Sequence, residues 1–231
     1  MTNAKLEMIA KFYEQWGQDV ARAETLFNCD DYFFEGLLVL SCYIGALARL
    51  RYPQEDDDRK SYKIIVSEYS GQKSIFENID LLFFYQWPRS TLANEKIYKR
   101  IKNHPDLVVL LQTEFGDEDG IRNNPTRRYQ KRENLLSYIK SKNVNWFDES
   151  NFMEYIELFS NNQILYKFLR CEAVHNADFQ LFNRSYQAAQ KKHTYKDNHQ
   201  INRSVILETV KGIVENLKNE CLSKTKWPWE L

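Results

Sequence analysis

The 231-residue chain has few of the residues that make tight turns, with seven glycines and five prolines. Together they make up about 5% of the chain, against a usual share of roughly 12%. A many-stranded β-sandwich or barrel needs a turn about every 8–12 residues, so this fold class is not expected. Disorder is not expected either, because 43% of the residues are hydrophobic and 14% are aromatic.

The chain also lacks an excess of either charge, with 32 basic and 32 acidic residues. This balance argues against a protein that coats nucleic acid by bulk charge, although it allows a local basic patch. The four cysteines are far apart and form no CxxC pair, which is typical of reduced thiols in a cytoplasmic protein. Neither a signal peptide nor an uncharged run of membrane-spanning length is evident, so we expect no membrane partner.

Helical periodicity dominates the sequence. The clearest run lies within 30–52, where apolar residues recur at spacings of four and three: Phe33, Leu37, Leu40, Ile44 and Leu47. The same rhythm in 202–221 involves Ile206, Val210, Ile213 and Leu217. Further helices are predicted at 4–26, 59–69, 73–85, 91–102, 127–141, 148–159 and 161–174. The run Leu107–Gln112 is compatible with a strand or with a buried helical turn.

These patterns predict an all-α bundle that forms a single domain over 1–231, with a helical insertion in the middle of the chain. Its core comprises approximately 30–52 and 161–221, and its insertion approximately 53–147. On α-helical geometry, the small residues Ser41, Gly45 and Ala48 share one face of the first core helix. This face allows close approach of another helix of the bundle or, alternatively, forms a homodimer seam. The C-terminal Trp227-Pro228-Trp229 segment is expected to pack back onto the bundle, the alternative being a docking peptide for a partner.

Metal and nucleotide sites have weak sequence support. The chain contains no P-loop, no GxGxxG and no GxSxG. Cys171 and His175 are four residues apart and could supply two ligands, but a structural zinc site needs four. We therefore expect no metal and no cofactor.

Two basic stretches stand out from the neutral background, the first at Arg122–Arg132 and the second at Arg184–Arg203. In each of them tyrosine is interleaved with arginine or lysine, a combination that can contact phosphates and stack on unpaired bases. The simpler alternative is a solvated helix start and a solvated loop. The candidate RNA-binding residues are Arg127, Arg128, Lys131, Arg132, Lys191 and Lys192.

The most informative segment is Leu165–Asn176, in which an arginine is followed by a histidine after four intervening residues. This RCxxVH segment, with its apolar lead-in and the long helix predicted earlier in the chain, resembles the R-x4-6-H motif of the HEPN superfamily. Cys171 departs from the polar residue that many HEPN toxins carry after the arginine. The resemblance implies a HEPN-like antiparallel helical bundle and a homodimeric, metal-independent endoribonuclease. It also implies a prokaryotic defence or toxin–antitoxin role, with an antitoxin or defence-system protein as partner.

The Arg170–His175 pair suits RNA cleavage by attack of the 2′-hydroxyl. His175 would transfer a proton near neutral pH, and Arg170 would stabilise the charged transition state, with Glu172 and Asn176 in supporting roles. On an α-helix, five residues correspond to about 7.5 Å of rise and about 140° of rotation net of full turns. Either the helix ends near His175 or two protomers each contribute a pair. The alternatives are a structural ion pair and a catalytically inactive helical module that binds RNA or a protein.

Overall fold

A computed structural model of the chain describes residues 2–89, 96, 99–102, 104–171, 192–194 and 200–231. Helices make up most of this part, which confirms the prediction of an all-α protein. The chain divides into two compact units. The first unit consists of Met1–Lys73 and Leu165–Leu231, and the second unit is Ser74–Ile164.

The described elements follow one another as short and long helices with four very short strands. In chain order they are α1 (Thr2–Asn28), a 3-10 turn (Asp30–Tyr32), α2 (Phe33–Arg51), α3 (Asp58–Tyr69), α4 (Lys73–Phe76), β1 (Ile79–Asp80), α5 (Leu81–Gln86), a 3-10 turn (Trp87–Arg89), α6 (Pro105–Phe115), α7 (Glu118–Arg122), α8 (Pro125–Arg128), β2 (Tyr129–Gln130), α9 (Arg132–Ser141), α10 (Glu149–Ile156), a 3-10 turn (Glu157–Phe159), α11 (Asn161–Ile164), a π-helix (Leu165–Cys171), β3 (Lys192–Thr194), β4 (Gln200–Asn202), α12 (Arg203–Lys224) and a 3-10 turn (Pro228–Glu230). Strand β1 pairs with β2 and strand β3 with β4, both antiparallel.

The first unit is built on α1, α2, α3 and α12, which pack on one another. The apolar stripes predicted for α2 and α12 are both buried, and they form much of this core. Gly36 allows α2 to approach α1 closely, since a Cβ atom at this position would lie 2.3 Å from the backbone nitrogen of Phe27. The start of α3 is fixed by Asp57, whose side chain accepts hydrogen bonds from the backbone N–H groups of Arg59 and Lys60.

The C-terminal segment packs back onto α1, as predicted. The ring of Trp227 meets that of Phe12 edge to face with 5.8 Å between centroids, and Lys5 Nζ lies 2.8 Å from Glu230 Oε2.

The second unit is held together by aromatic packing and one buried ion pair. Phe84 packs edge to face on Phe159, with ring centroids 4.9 Å apart. Arg128 at the end of α8 binds Asp80 in β1 through two parallel hydrogen bonds, described below. Asp80 also accepts a hydrogen bond from the backbone N–H of Phe83, so the same carboxylate begins α5.

Several predicted element boundaries differ from the structure. The predicted helix 73–85 is split, because the strand residues Ile79–Asp80 lie between α4 and α5. The predicted helix 127–141 is likewise divided by β2. Leu107–Gln112 is helical, within an α6 that His104 caps through its ring Nδ1. Residues Lys192–Thr194 form a strand within the second basic stretch. The predicted helix 91–102 falls largely outside the described residues.

The second unit overlaps the predicted insertion, but its bounds are not the same. The second unit covers Ser74–Ile164, whereas the insertion was expected at approximately 53–147. Helix α3 belongs to the first unit because it packs against α2 and α12. Its apolar face includes Tyr62, Ile65 and Val66, all buried.

Candidate active site

The segment that carries Arg170 is wound as a π-helix rather than as an α-helix. It spans Leu165–Cys171 and follows directly on α11. Because π-helical hydrogen bonds join residues five apart, this winding aligns such residues along the helix axis. Tyr166 and Cys171 are five apart, and the two side chains interact. The interval from Arg170 to His175 continues beyond Cys171, outside the described residues, so the rotation of about 140° between these two residues stays a prediction.

Arg170 lines a cleft of about 240 Å³ within the first unit. The cleft lies between α2, the start of α3 and the π-helix, and its lining includes both apolar and charged groups. The lining residues are Cys42, Gly45, Ala46, Arg49, Asp58, Ser61, Tyr62 and Arg170. Among the described residues it therefore combines two guanidinium groups, one carboxylate and two side-chain hydroxyls.

The side chain of Arg170 lies beside Gly45 of α2. A Cβ atom at Gly45 would lie 3.8 Å from Arg170 Nε, which is an ordinary van der Waals contact. The small-residue face of α2 thus accepts the π-helix, consistent with the prediction that another helix of the bundle would approach there.

Two tyrosines pack beside Arg170. Its guanidinium carbon lies 5.9 Å from the ring centre of Tyr166, whose ring meets that of Tyr62 at 5.4 Å. Burial, together with the Cys171 thiol, raises the pKa of Tyr166 to about 12, against the opposing influence of Arg170. Burial also raises the pKa of Tyr62, while the Ser41 hydroxyl and the Arg170 guanidinium lower it. Both phenols are therefore neutral hydrogen-bond donors at pH 7.

The hydroxyls of Ser41 and Tyr62 are buried without a hydrogen-bond partner among the described residues. The Ser41 hydroxyl lies near enough to lower the pKa of Tyr62 through a side-chain hydrogen-bond contribution, but the two groups do not meet with full hydrogen-bond geometry. An unsatisfied buried hydroxyl costs about 1–3 kcal/mol. Tyr62 lines the cleft, so a group entering there can supply the missing partner.

Arg49 and Asp58 face each other in the cleft. Arg49 Nε lies 3.4 Å from Asp58 Oδ1, and Arg49 Nη1 donates a 2.7 Å hydrogen bond to the carbonyl oxygen of Glu55. Both side chains remain about half exposed. Such a solvent-exposed ion pair contributes little to stability, about 0–1 kcal/mol.

Most of the remaining motif residues cannot be placed. His175, Glu172, Asn176 and Lys191 lie outside the described residues. Lys192 belongs to strand β3, where its partner in the register is Asn202.

The first basic stretch belongs to the second unit, and its residues have different environments. Arg127 and Lys131 are exposed. Arg132 lies 2.8 Å from Glu157 Oε1 and 3.2 Å from Glu133 Oε1.

Arg128 does not fit the RNA-binding role predicted for it. Its Nε and Nη2 donate hydrogen bonds of 2.9 and 2.6 Å to the two carboxylate oxygens of Asp80. The two side chains are only 6% and 4% exposed. A buried guanidinium group that is hydrogen-bonded to a carboxylate is not accessible to RNA, so we assign Arg128 a structural role.

Sequence reasoning missed Arg49, Asp58 and Tyr62 as parts of the site. A signal for Arg49 was present, because Cys42, Gly45, Ala46 and Arg49 follow the i, i+3, i+4, i+7 spacing of one helical face. The other two residues come from α3, and sequence periodicity alone does not indicate that α3 packs beside this face of α2.

Among the described residues, no group of three or more His, Cys, Asp or Glu side chains could hold a metal ion. The segment Asp30–Arg51 is long and apolar enough to cross a membrane, with a mean hydropathy of 1.6, and 44% of its most apolar window is buried. This is weak evidence for a membrane span, since the core helix of a soluble protein has the same properties.

Comparison of the chain with protein-family models, with curated proteins and with solved structures gives no match.

Proposed function

We propose that the protein is a metal-independent endoribonuclease of the HEPN type, in which Arg170 and His175 act on a phosphodiester. The observation that supports this proposal is the position of Arg170, which lines a cleft instead of lying in the bundle core. The guanidinium group is planar and permanently charged, so it suits a phosphate oxygen that gains negative charge in the transition state. The resemblance of the Leu165–Asn176 segment to the HEPN motif supplies the histidine.

In the proposed reaction the 2′-hydroxyl oxygen of a ribose attacks the adjacent phosphorus atom. The hydroxyl proton passes to a base, and the bond from phosphorus to the 5′-oxygen of the next nucleotide breaks. That oxygen takes a proton, so the products end in a 2′,3′-cyclic phosphate and a 5′-hydroxyl. His175 serves in proton transfer, and Arg170 stabilises the pentacoordinate phosphorane.

The biological setting belongs to the same proposal. The enzyme is a cytoplasmic homodimer whose two Arg–His pairs form one composite cleft. It acts in prokaryotic defence or in a toxin–antitoxin system, where an antitoxin or another defence protein controls it. Glu172 and Asn176 support the catalytic pair.

The test is incubation of the purified protein with tRNA and with single-stranded RNA in excess EDTA. We expect cleavage with cyclic-phosphate ends, and its loss in both Arg170→Ala and His175→Ala. Arg22→Ala is a matched control, because Arg22 lies on the exposed surface of α1, paired with Asp19. If the folded wild-type protein leaves both RNAs intact, the enzymatic proposal fails and the alternative of a binding module stands.

A further inference from the structure

The cleft contains a second arginine that the proposed catalytic pair does not use. Arg49 reaches the cleft from α2, whereas Arg170 reaches it from the π-helix. With Asp58 as the opposing carboxylate, these three side chains carry a formal charge of plus one among the described residues of the lining. An anion that enters the cleft therefore meets cationic groups on two separate elements.

Arg49 is positioned but not buried. It is held by the carbonyl oxygen of Glu55 and by the carboxylate of Asp58, the two contacts that the structure gives it within the described residues. A guanidinium group carries five N–H donors, so most of its donor capacity remains for a ligand. The distance of 3.4 Å between Arg49 Nε and Asp58 Oδ1 is longer than that of a strong charged hydrogen bond. An incoming anion can therefore replace the Asp58 carboxylate as the partner of Arg49.

Tyr62 supplies an independent indication of a ligand. Its side chain is 1% exposed, its hydroxyl meets no described group with full hydrogen-bond geometry although the Ser41 hydroxyl is nearby, and Tyr62 is one of the residues that line the cleft. A neutral phenol that donates to a phosphate oxygen would satisfy this buried group.

We propose that Arg49, Arg170 and Tyr62 form a subsite for one phosphodiester group of a single-stranded nucleic acid. When the subsite is empty, the carboxylate of Asp58 pairs with the guanidinium of Arg49. The identification of the ligand as a substrate strand rests on the proposed function. The volume of about 240 Å³ lies below the range of roughly 300–1,000 Å³ typical of pockets for drug-sized ligands. It suits a phosphate group with part of its sugar, not a whole nucleobase stack.

The test uses a strand that the enzyme cannot cleave, so that binding is measured apart from chemistry. A short fluorescein-labelled oligouridylate with 2′-O-methyl groups at every position lacks the attacking hydroxyl. Fluorescence anisotropy then gives its affinity for each variant. Inorganic phosphate at millimolar concentration is the competitor, and we expect it to displace the strand from the wild-type protein.

The two charged residues are expected to change the affinity in opposite directions. Arg49→Gln removes a charged donor and should weaken binding about tenfold. It should also make the slope of log affinity against log salt less steep by about 0.7. Asp58→Asn removes the competing carboxylate and should tighten binding about threefold. A general loss of structure would weaken binding in both variants.

Tyr62→Phe should weaken binding about threefold without loss of the folded state, because only an unpaired hydroxyl is removed. The control variant Arg22→Gln changes an exposed arginine of α1 outside the cleft and should remain within about twofold of wild type. Circular dichroism spectra that match wild type would establish that each variant is folded.

The subsite is refuted if Arg49→Gln and Asp58→Asn both bind like wild type, or if inorganic phosphate fails to compete. RNA cleavage that depends on Arg170 but not on Arg49 would refute the subsite and leave the proposed function standing. Binding of the methylated strand that depends on Arg49, without cleavage of ordinary RNA, would support the subsite and refute the enzyme.

Discussion

The sequence singles out Arg128 as a candidate RNA contact and Arg170 as a candidate catalytic residue, and the structure gives the two guanidinium groups opposite surroundings. Arg128 lies in the second unit, where its guanidinium group donates hydrogen bonds to both carboxylate oxygens of Asp80. Its side chain is only 6% exposed. Arg170 lies in the first unit, half-buried, at the wall of a cleft. A basic run in a sequence therefore does not establish what each guanidinium contacts. For Arg128, the buried Asp80 carboxylate establishes the structural role.

The largest expected effect is a loss of stability when Arg128 is replaced. Arg128→Ala leaves the Asp80 carboxylate buried without its cation, and breaking a buried pair in this way costs about 3–5 kcal/mol. We expect this loss in the free energy of unfolding, measured by urea denaturation. Arg127→Ala changes the exposed neighbour and should stay within about 0.5 kcal/mol of wild type. Equal free energies of unfolding for the two variants would mean that Arg128 does not have the structural role assigned to it.

The next effect is on catalysis and should show the reverse pattern. Arg170→Ala is expected to lower the rate of RNA cleavage about 100- to 1,000-fold, or about 2.7–4 kcal/mol of transition-state stabilisation. Its free energy of unfolding should change by about 1 kcal/mol or less, since no core side chain is removed. Single-turnover cleavage and urea denaturation of the same preparation separate the two quantities. A large loss of stability would place Arg170 in the same class as Arg128.

The fold was predictable from sequence where the apolar periodicity was long. The stripes of α2 and α12 are buried as expected, because a helix of five turns or more repeats its core face several times. The prediction failed where helices are short. A single cap at Asp80 splits the predicted helix 73–85, and periodicity over four to six residues cannot reveal such a break.

The candidate site was predictable only in part. The motif indicated Arg170, but the π-helical winding of Leu165–Cys171 has no simple sequence signature. Arg49 shares one face of α2 with Gly45, so the sequence could have indicated it. Asp58 and Tyr62 lie on a different helix, and their presence in the cleft depends on tertiary packing. His175 falls outside the described residues, so its role stays a prediction.

Two glycines of α2 also differ in their surroundings, because Gly36 is tightly packed against α1 whereas Gly45 meets Arg170 only at ordinary contact distance. Gly36→Ala would place a Cβ atom 2.3 Å from the backbone of Phe27, and such overpacking costs about 1–3 kcal/mol. Gly45→Ala meets Arg170 only at ordinary contact distance, so the better helix propensity of alanine should stabilise α2 by about 0.5–1 kcal/mol. Thermal unfolding of both variants gives the sign of each effect. Destabilisation by Gly45→Ala would mean that the cleft wall is as tightly packed as the contact between α1 and α2.

The smallest expected effect concerns the other members of the first basic stretch. Arg127 and Lys131 are exposed, so they remain candidate phosphate contacts beside the buried Arg128. The double variant Arg127→Gln, Lys131→Gln should weaken binding of the uncleavable strand about three- to tenfold and make its salt slope less steep by about 1.4. Arg132→Gln is the matched control, because Glu157 and Glu133 already neutralise that arginine, and its affinity should change by less than about twofold. If the double variant binds the strand as tightly as the control does, Arg127 and Lys131 do not contact RNA, and the first basic stretch has no role in binding it. RNA contact would then be confined to the unit that carries Arg170.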